Sequence, residues 1–154
     1  MNTVEHLHQL YGYNAWANRR IVAALVEHES LRCRALLAHL LTTEQEYFER
    51  LWGRDSTGFE FWPRLSIQEI GTLASTIATR YDTLLAGATP ESLDTIATYR
   101  TSDGVACENT WLELLSHVLI HSSTHRGNIM LQLREYGYEP PVIDYIIYLR
   151  EKGE

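Results

Sequence analysis

The sequence predicts an all-α protein: an antiparallel four-helix bundle with a long crossover and a short C-terminal helix. Three observations carry this expectation. Apolar residues recur at helical spacing in four long stretches. Capping signals open these stretches, and glycines follow several of them. The one β-prone run lies between the third and fourth stretches, where it reads as the crossover.

The first helix is expected over about Thr3 to Glu27, opened by a capping-box-like Asn2 and Glu5. Leu7, Leu10, Tyr11, Asn14, Ala17, Ile21, Ala24 and Leu25 then follow at helical spacing. A second helix runs from about Ser30 to Trp52 and stops at Gly53. Gly53 to Pro63 reads as a loop, and Phe59, Phe61 and Trp62 should pack it back onto the body. The capping box Ser66-Ile67-Gln68-Glu69 opens a third helix, which reaches about Ala86 before Gly87 and Pro90 end it. Asp94 to Thr101 favours extended structure through Thr95, Ile96, Thr98 and Tyr99, and Asp103-Gly104 reads as a turn. A short hairpin or an irregular crossover is expected there. Thr110-Trp111-Leu112-Glu113 is a further capping box, opening a fourth helix that ends near Tyr136, with Gly137 just beyond. Pro140-Pro141 breaks the chain, and a final short helix is expected over about Val142 to Glu151. There is no internal repeat or low-complexity segment.

The 154 residues, 45% of them hydrophobic, suit one domain over 1–154 with a substantial core. Cys33 and Cys107 stand far apart and fit no metal or redox pattern, so each is expected to act as a small hydrophobe. A net charge of −7 and a pI near 5.5 argue against binding a phosphate backbone. Basic residues are spread singly or in pairs such as Arg19-Arg20. No apolar run approaches the roughly 20 residues that span a bilayer, and Met1 to His6 lacks the pattern of a signal peptide. A cytoplasmic protein with no nucleic-acid or membrane partner is the expectation.

Chemistry enters with His121 and His125. Residues four apart on a helix share a face, so two imidazoles so placed can meet one transition-metal ion. On a wheel of about 100° per residue, Trp111, Leu115, Val118, Ile129, Leu133 and Tyr136 form an apolar stripe. His125 lies about 40° from its centre, His121 about 40° further and His117 about 40° further still. The inward pair is therefore His121 and His125, with His117 a supporting group. The plainer alternative is a set of core histidines held by hydrogen bonds.

A third ligand has to come from another helix, and His39 leads, although its own wheel sets it beside the apolar stripe. Glu44 falls near the middle of the stripe made by Leu37, Leu40, Tyr47, Phe48 and Leu51. A carboxylate there needs a partner or an outlet to solvent, because burying an unpaired charge is costly. His6, His8 and His28 lie near helix ends and are expected to be solvated. Tyr11, Tyr13, Trp16 and Trp52 read as core or dimer contacts. Three neutral imidazoles leave coordination positions open, as in catalytic sites. Zn²⁺, Ni²⁺ and Fe²⁺ all accept imidazole.

Four segments resemble the DinB/YfiT-like superfamily of bacterial four-helix-bundle proteins. They are Leu10 to Arg20, His39 to Glu44 with Tyr47 and Leu51-Trp52-Gly53, His117 to Ile129, and Gly137 to Pro141 with Asp144-Tyr145-Ile146. Their order and spacing carry the likeness along the whole chain. The resemblance implies metal ligands at His39, His121 and His125, all histidine here. Asn128 departs from the Gln common after the His-Arg-Gly element. The resemblance also implies a homodimer, a nickel or zinc ion, and, in some relatives, transfer or isomerase chemistry that uses a metal-bound low-molecular-weight thiol. The family name refers to damage-inducible expression, not to contact with DNA.

Two functions are therefore in play. One is a metal-dependent enzyme acting on a small molecule, a thiol-dependent S-transferase or a related transferase or hydrolase, with Ni or Zn as the first choices and Fe as the third. Glu44 is then the candidate general base, and Arg126 a candidate for holding an anionic substrate group, with a surface salt bridge as its plainer role. The other is a non-catalytic dimeric metal-binding or stress-response module.

Overall fold

The computed structural model describes residues 1–153. Four long helices form the body: α1 (Thr3–Glu27), α2 (Leu31–Arg50), α3 (Ile67–Ala86) and α4 (Trp111–Glu135). A short helix, α5 (Tyr145–Lys152), follows. Each expected capping box is formed. Asn2 pairs with Glu5, Ser66 with Glu69 and Thr110 with Glu113, and in each pair the cap side chain and the glutamate satisfy one another's backbone N–H groups. The helices therefore begin where the sequence places them.

The helices form a ring in which α1 and α2 each pack against both α3 and α4. Their directions follow from the contacts. Tyr11 stacks on Tyr81 and His8 meets Asp82, while Val22 lies by Gly71, so α1 and α3 run antiparallel. Cys33 lies by Ile129 and Trp111 donates to the Leu51 carbonyl, so α2 and α4 are antiparallel too. Tyr11 donates to the Leu115 carbonyl and Asn18 meets Arg126, so α1 and α4 run parallel. Long connections on either side of α3 allow this refinement of the expected antiparallel bundle.

The crossover is the hairpin, not the irregular alternative. A short 3-10 turn, Pro90–Asp94, leads into β1 (Ile96–Arg100), which pairs antiparallel with β2 (Ala106–Thr110) from Ile96↔Thr110 to Arg100↔Ala106. Gly104 makes the turn with φ of +80°, a conformation that costs glycine little and other residues more.

Three expectations need correction. Helix α2 ends at Arg50 rather than Trp52, because Gly53, at φ +84°, turns the chain back beneath β1. Helix α5 starts at Tyr145 rather than Val142. Residues after the Pro140-Pro141 break stay extended, and the carbonyls of Val142 and Ile143 accept from Arg20 and Tyr13 of α1. Tyr136, placed on the α4 stripe, is half exposed, since it caps the helix beyond the last buried residue, Leu133. Two of the outlying histidines also gain partners: His8 contacts Asp82 at 2.6 Å, and His28 stacks on Tyr138.

Both cysteines are free; Cys33 is fully buried in the core, and Cys107 lies part-exposed on β2. No helix among the described residues is long and apolar enough to cross a membrane.

Candidate metal centre

The site forms where α2 faces α4. The i, i+4 spacing on α4 brings His121 and His125 to a ring-centroid separation of 4.5 Å. Across the interface His39 of α2 closes the triangle, at 5.0 Å from His121 and 4.8 Å from His125. One potential ligand nitrogen from each of the three lies within 4.8 Å of the others, which is close enough to hold one metal ion. His117 stands outside this group; its ring is 5.7 Å from His121 and stacks on Tyr47.

The loop after α2 completes the site. The His39 Nδ1 lies 2.6 Å from the Phe61 carbonyl oxygen. A carbonyl can only accept, so Nδ1 carries the proton and the lone pair is left on Nε2. A backbone acceptor on one imidazole nitrogen is how proteins aim the other at a metal. Trp62 lies flat on the same ring, 3.7 Å away and 1° from parallel, and meets His125 edge-on. The sequence indicated that this loop packs back through its aromatic residues. That it packs onto His39 was not legible, because nothing local ties Phe61 and Trp62 to a residue on the preceding helix.

All three imidazoles are held neutral. Burial pushes His121 down to about 4, helped by the neighbouring His125, His39 and His117. Burial also lowers His125, and it lowers His39 against the opposing pull of the Phe61 carbonyl. Neutral rings present lone pairs at pH 7. The Nδ1 atoms of His121 and His125 are buried without a hydrogen-bond partner, so no protein acceptor competes for these rings. An all-nitrogen set of three imidazoles suits Zn²⁺, Ni²⁺ or Fe²⁺, and the residues present fit such an ion.

A pH effect follows for metal-free protein. The unfolded chain binds a proton on His121 below about pH 6.5, whereas the folded chain resists until about 4. Stability due to the neutral ring is therefore present above the unfolded value and is lost as pH falls from 6.5 towards 4. Thermal melts in chelator should show a steeper acid loss for the wild type than for His121→Gln. Equal slopes would contradict the burial of this ring.

Behind the triad is a polar network that the sequence revealed only in part. Glu44 is 2% exposed and accepts from Ser122 Oγ at 2.6 Å and Asn18 Nδ2 at 3.1 Å. Asn18 turns its Oδ1 to Arg126, 3.0 Å from Nη1, and Arg126 also donates to Asn14. One asparagine thus bridges a buried carboxylate and a buried guanidinium. Burial raises Glu44, while Ser122, the asparagines and Arg126 draw it back down. Arg126 is 2% exposed, so the surface salt bridge expected for it is corrected: its partners lie on α1, inside the bundle. Glu44 and Arg126 are not gathered with the three histidines. Ser122 and Arg126 directly follow His121 and His125 on α4, so the network grips the helix one residue beyond each ligand candidate.

Over 92% of its length the chain is 28% identical to "Protein DinB" of Bacillus subtilis (strain 168), of which it covers 92%. The family model described as DinB family matches residues 1–154. With its helical bundle and three convergent histidines, the chain belongs to the DinB family.

Proposed function

We propose that the protein binds one divalent transition-metal ion, nickel or zinc before iron, through His39, His121 and His125, and that it catalyses thiol-dependent transfer to a small molecule. The observation that carries this reading is the convergence of three neutral imidazoles, one aimed by the Phe61 carbonyl. When bound, such an ion acts as a Lewis acid that lowers the pKa of a thiol or a water. The chain's own residues do the rest. Trp62 covers the His39 face of the site and limits water there. His117, stacked on Tyr47, walls it one turn along α4. Glu44 and Arg126 enter as positioning residues, because Glu44 Oε2 is engaged by Ser122 and Asn18 and Arg126 Nη1 by Asn14 and Asn18.

The test is a transfer assay with small thiols, run on metal-loaded and chelator-stripped protein alongside His121→Ala. Activity in the loaded wild type alone supports the reading. Activity that survives stripping counts against it. The engagement of Glu44 in its network, which leaves the site without that carboxylate as a base, favours one second reading: a non-catalytic metal-binding module. In that case metal raises the melting temperature, and no thiol supports turnover.

A homodimer is part of the same proposal. Ile120 and Leu131 are 68% and 53% exposed on the outward side of α4, an apolar surface that a second copy would cover. Sedimentation should give a dimer that Ile120→Glu shifts towards monomer; a monomeric wild type would refute this.

A further inference from the structure

Arg50, at the end of α2, is 4% exposed yet makes no ion pair among the described residues. A guanidinium has five N–H donors and cannot shed its charge. Here one is used: Nε donates to Ser56 Oγ at 3.0 Å. The carboxylate of Glu46 is nearby but gives Oε1 to Arg54, at 3.1 Å. Around the Arg50 guanidinium carbon are the rings of Tyr47 at 4.6 Å, Tyr99 at 4.7 Å and Phe61 at 5.4 Å. Aromatic faces attract a cation but do not accept the in-plane hydrogen bonds of its Nη edge. Neither Nη atom makes a hydrogen bond among the described residues, and neither is fully sealed from solvent, so that edge keeps unmet donors. Glu46, itself buried, lends Arg50 its charge but no hydrogen bond, and buried donors left without an acceptor are costly.

One of the three cage residues touches the metal centre, and a second touches its neighbour His117. Phe61 faces Arg50 with its ring and holds His39 with its carbonyl. Tyr47 lies between Arg50 and His117, whose ring neighbours His121. The burial of Arg50 depends on Ser56, Phe61 and Tyr99, from the following loop and β1, so the α2 helix pattern alone does not reveal it.

We propose that Arg50 is the anion receptor of a subsite adjoining the three histidines, and that it takes the carboxylate of a small molecule whose other end reaches them. Flanked by ring faces, the guanidinium offers an edge, which matches a planar carboxylate in a two-point contact. The reach to the histidines rests on the metal reading above; the capture of the carboxylate does not. The carboxylate belongs either to the thiol or to the acceptor it attacks.

The experiment has two arms. In metal-free protein, propionate and inorganic phosphate are titrated while the backbone amide NMR signals of Tyr47, Ser56 and Tyr99, which surround Arg50, are followed. A saturable shift with propionate, weaker with phosphate, lost in Arg50→Met and weakened in Arg50→Lys, is expected. No response to either anion overturns the proposal and leaves Glu46 as the counter-charge, and tighter phosphate binding overturns the carboxylate assignment. The lysine variant keeps the test valid if the methionine variant does not fold. In zinc-loaded protein, calorimetry compares 3-mercaptopropionate with propanethiol. A preference of about tenfold or more, the scale of a charge-assisted hydrogen bond, that vanishes in Arg50→Met at unchanged zinc content supports the proposal and assigns the carboxylate to the thiol. Equal affinities with the propionate response intact support it and assign the carboxylate to the acceptor. Failure to bind zinc would refute the metal reading alone, since the first arm contains no metal.

Discussion

His121→Ala should abolish metal binding. Elemental analysis of untagged protein should give about one ion per chain for the wild type and almost none for the variant. His121 lies within ligand distance of both His39 and His125, so its loss leaves two imidazoles for an ion that needs at least three protein ligands to be held firmly. Removing even an outer-shell partner of a metal site costs roughly 10–100-fold in affinity, so loss of a ligand should cost more. His117→Ala is the control, since its ring stands outside the group of three. Stability gives a second readout. Metal at 100 times its Kd adds about 2.7 kcal/mol to a folded protein that binds it, and His121→Ala should forfeit this term. In chelator the two proteins should differ much less, because the His121 Nδ1 has no protein partner to lose. Full metal occupancy in the variant would eliminate the three-histidine assignment.

The comparison of these residues shows what a sequence can reveal. His121 and His125 were legible because a single helix sets their relation; four residues place them on one face whatever else folds around them. The capping boxes were legible for the same reason. His39 was legible from geometry only as the leading candidate and was supplied by the family resemblance, since its wheel position lies beside the stripe and its burial comes from Trp62 and α4, which no local pattern reports. Glu44 announced that it needed a partner but not which, because its partners come from α1 and α4. Arg126 was misplaced at the surface although a signal existed. On the α4 wheel Ser122 falls only about 20° from Trp111, inside the apolar stripe, and Arg126 lies one turn further along. A serine and an arginine on the buried side of a helix, opposite Asn14 on the apolar face of α1, ask for a polar network.

That network sets up the second large effect, and it should be asymmetric. Glu44→Leu leaves the Arg126 guanidinium buried with only neutral asparagine acceptors, and arginine cannot lose its proton to relieve the charge. Breaking a buried charge pair from one side costs about 3–5 kcal/mol, and urea unfolding in chelator should show a loss of that order. Arg126→Met strands a carboxylate instead, and a carboxylate can take up a proton. Burial already raises Glu44, with Arg126 pulling it down, so removing the guanidinium raises it further. In that variant the folded state binds a proton more readily than the unfolded chain. Its deficit against wild type should therefore be largest near pH 7 and shrink as pH falls towards 5. The Glu44→Leu deficit should not shrink in this way. The double variant should lose less than the two single losses together, because neither charge is then left alone. Simple additivity would mean that Asn18 separates the two charges rather than coupling them. The consequence reaches the metal centre through α4 itself. Ser122 and Arg126 hold the helix immediately after His121 and His125, so Glu44→Leu should weaken metal affinity without touching a ligand. Unchanged affinity in a folded Glu44→Leu protein would show that helix packing alone aligns the histidines.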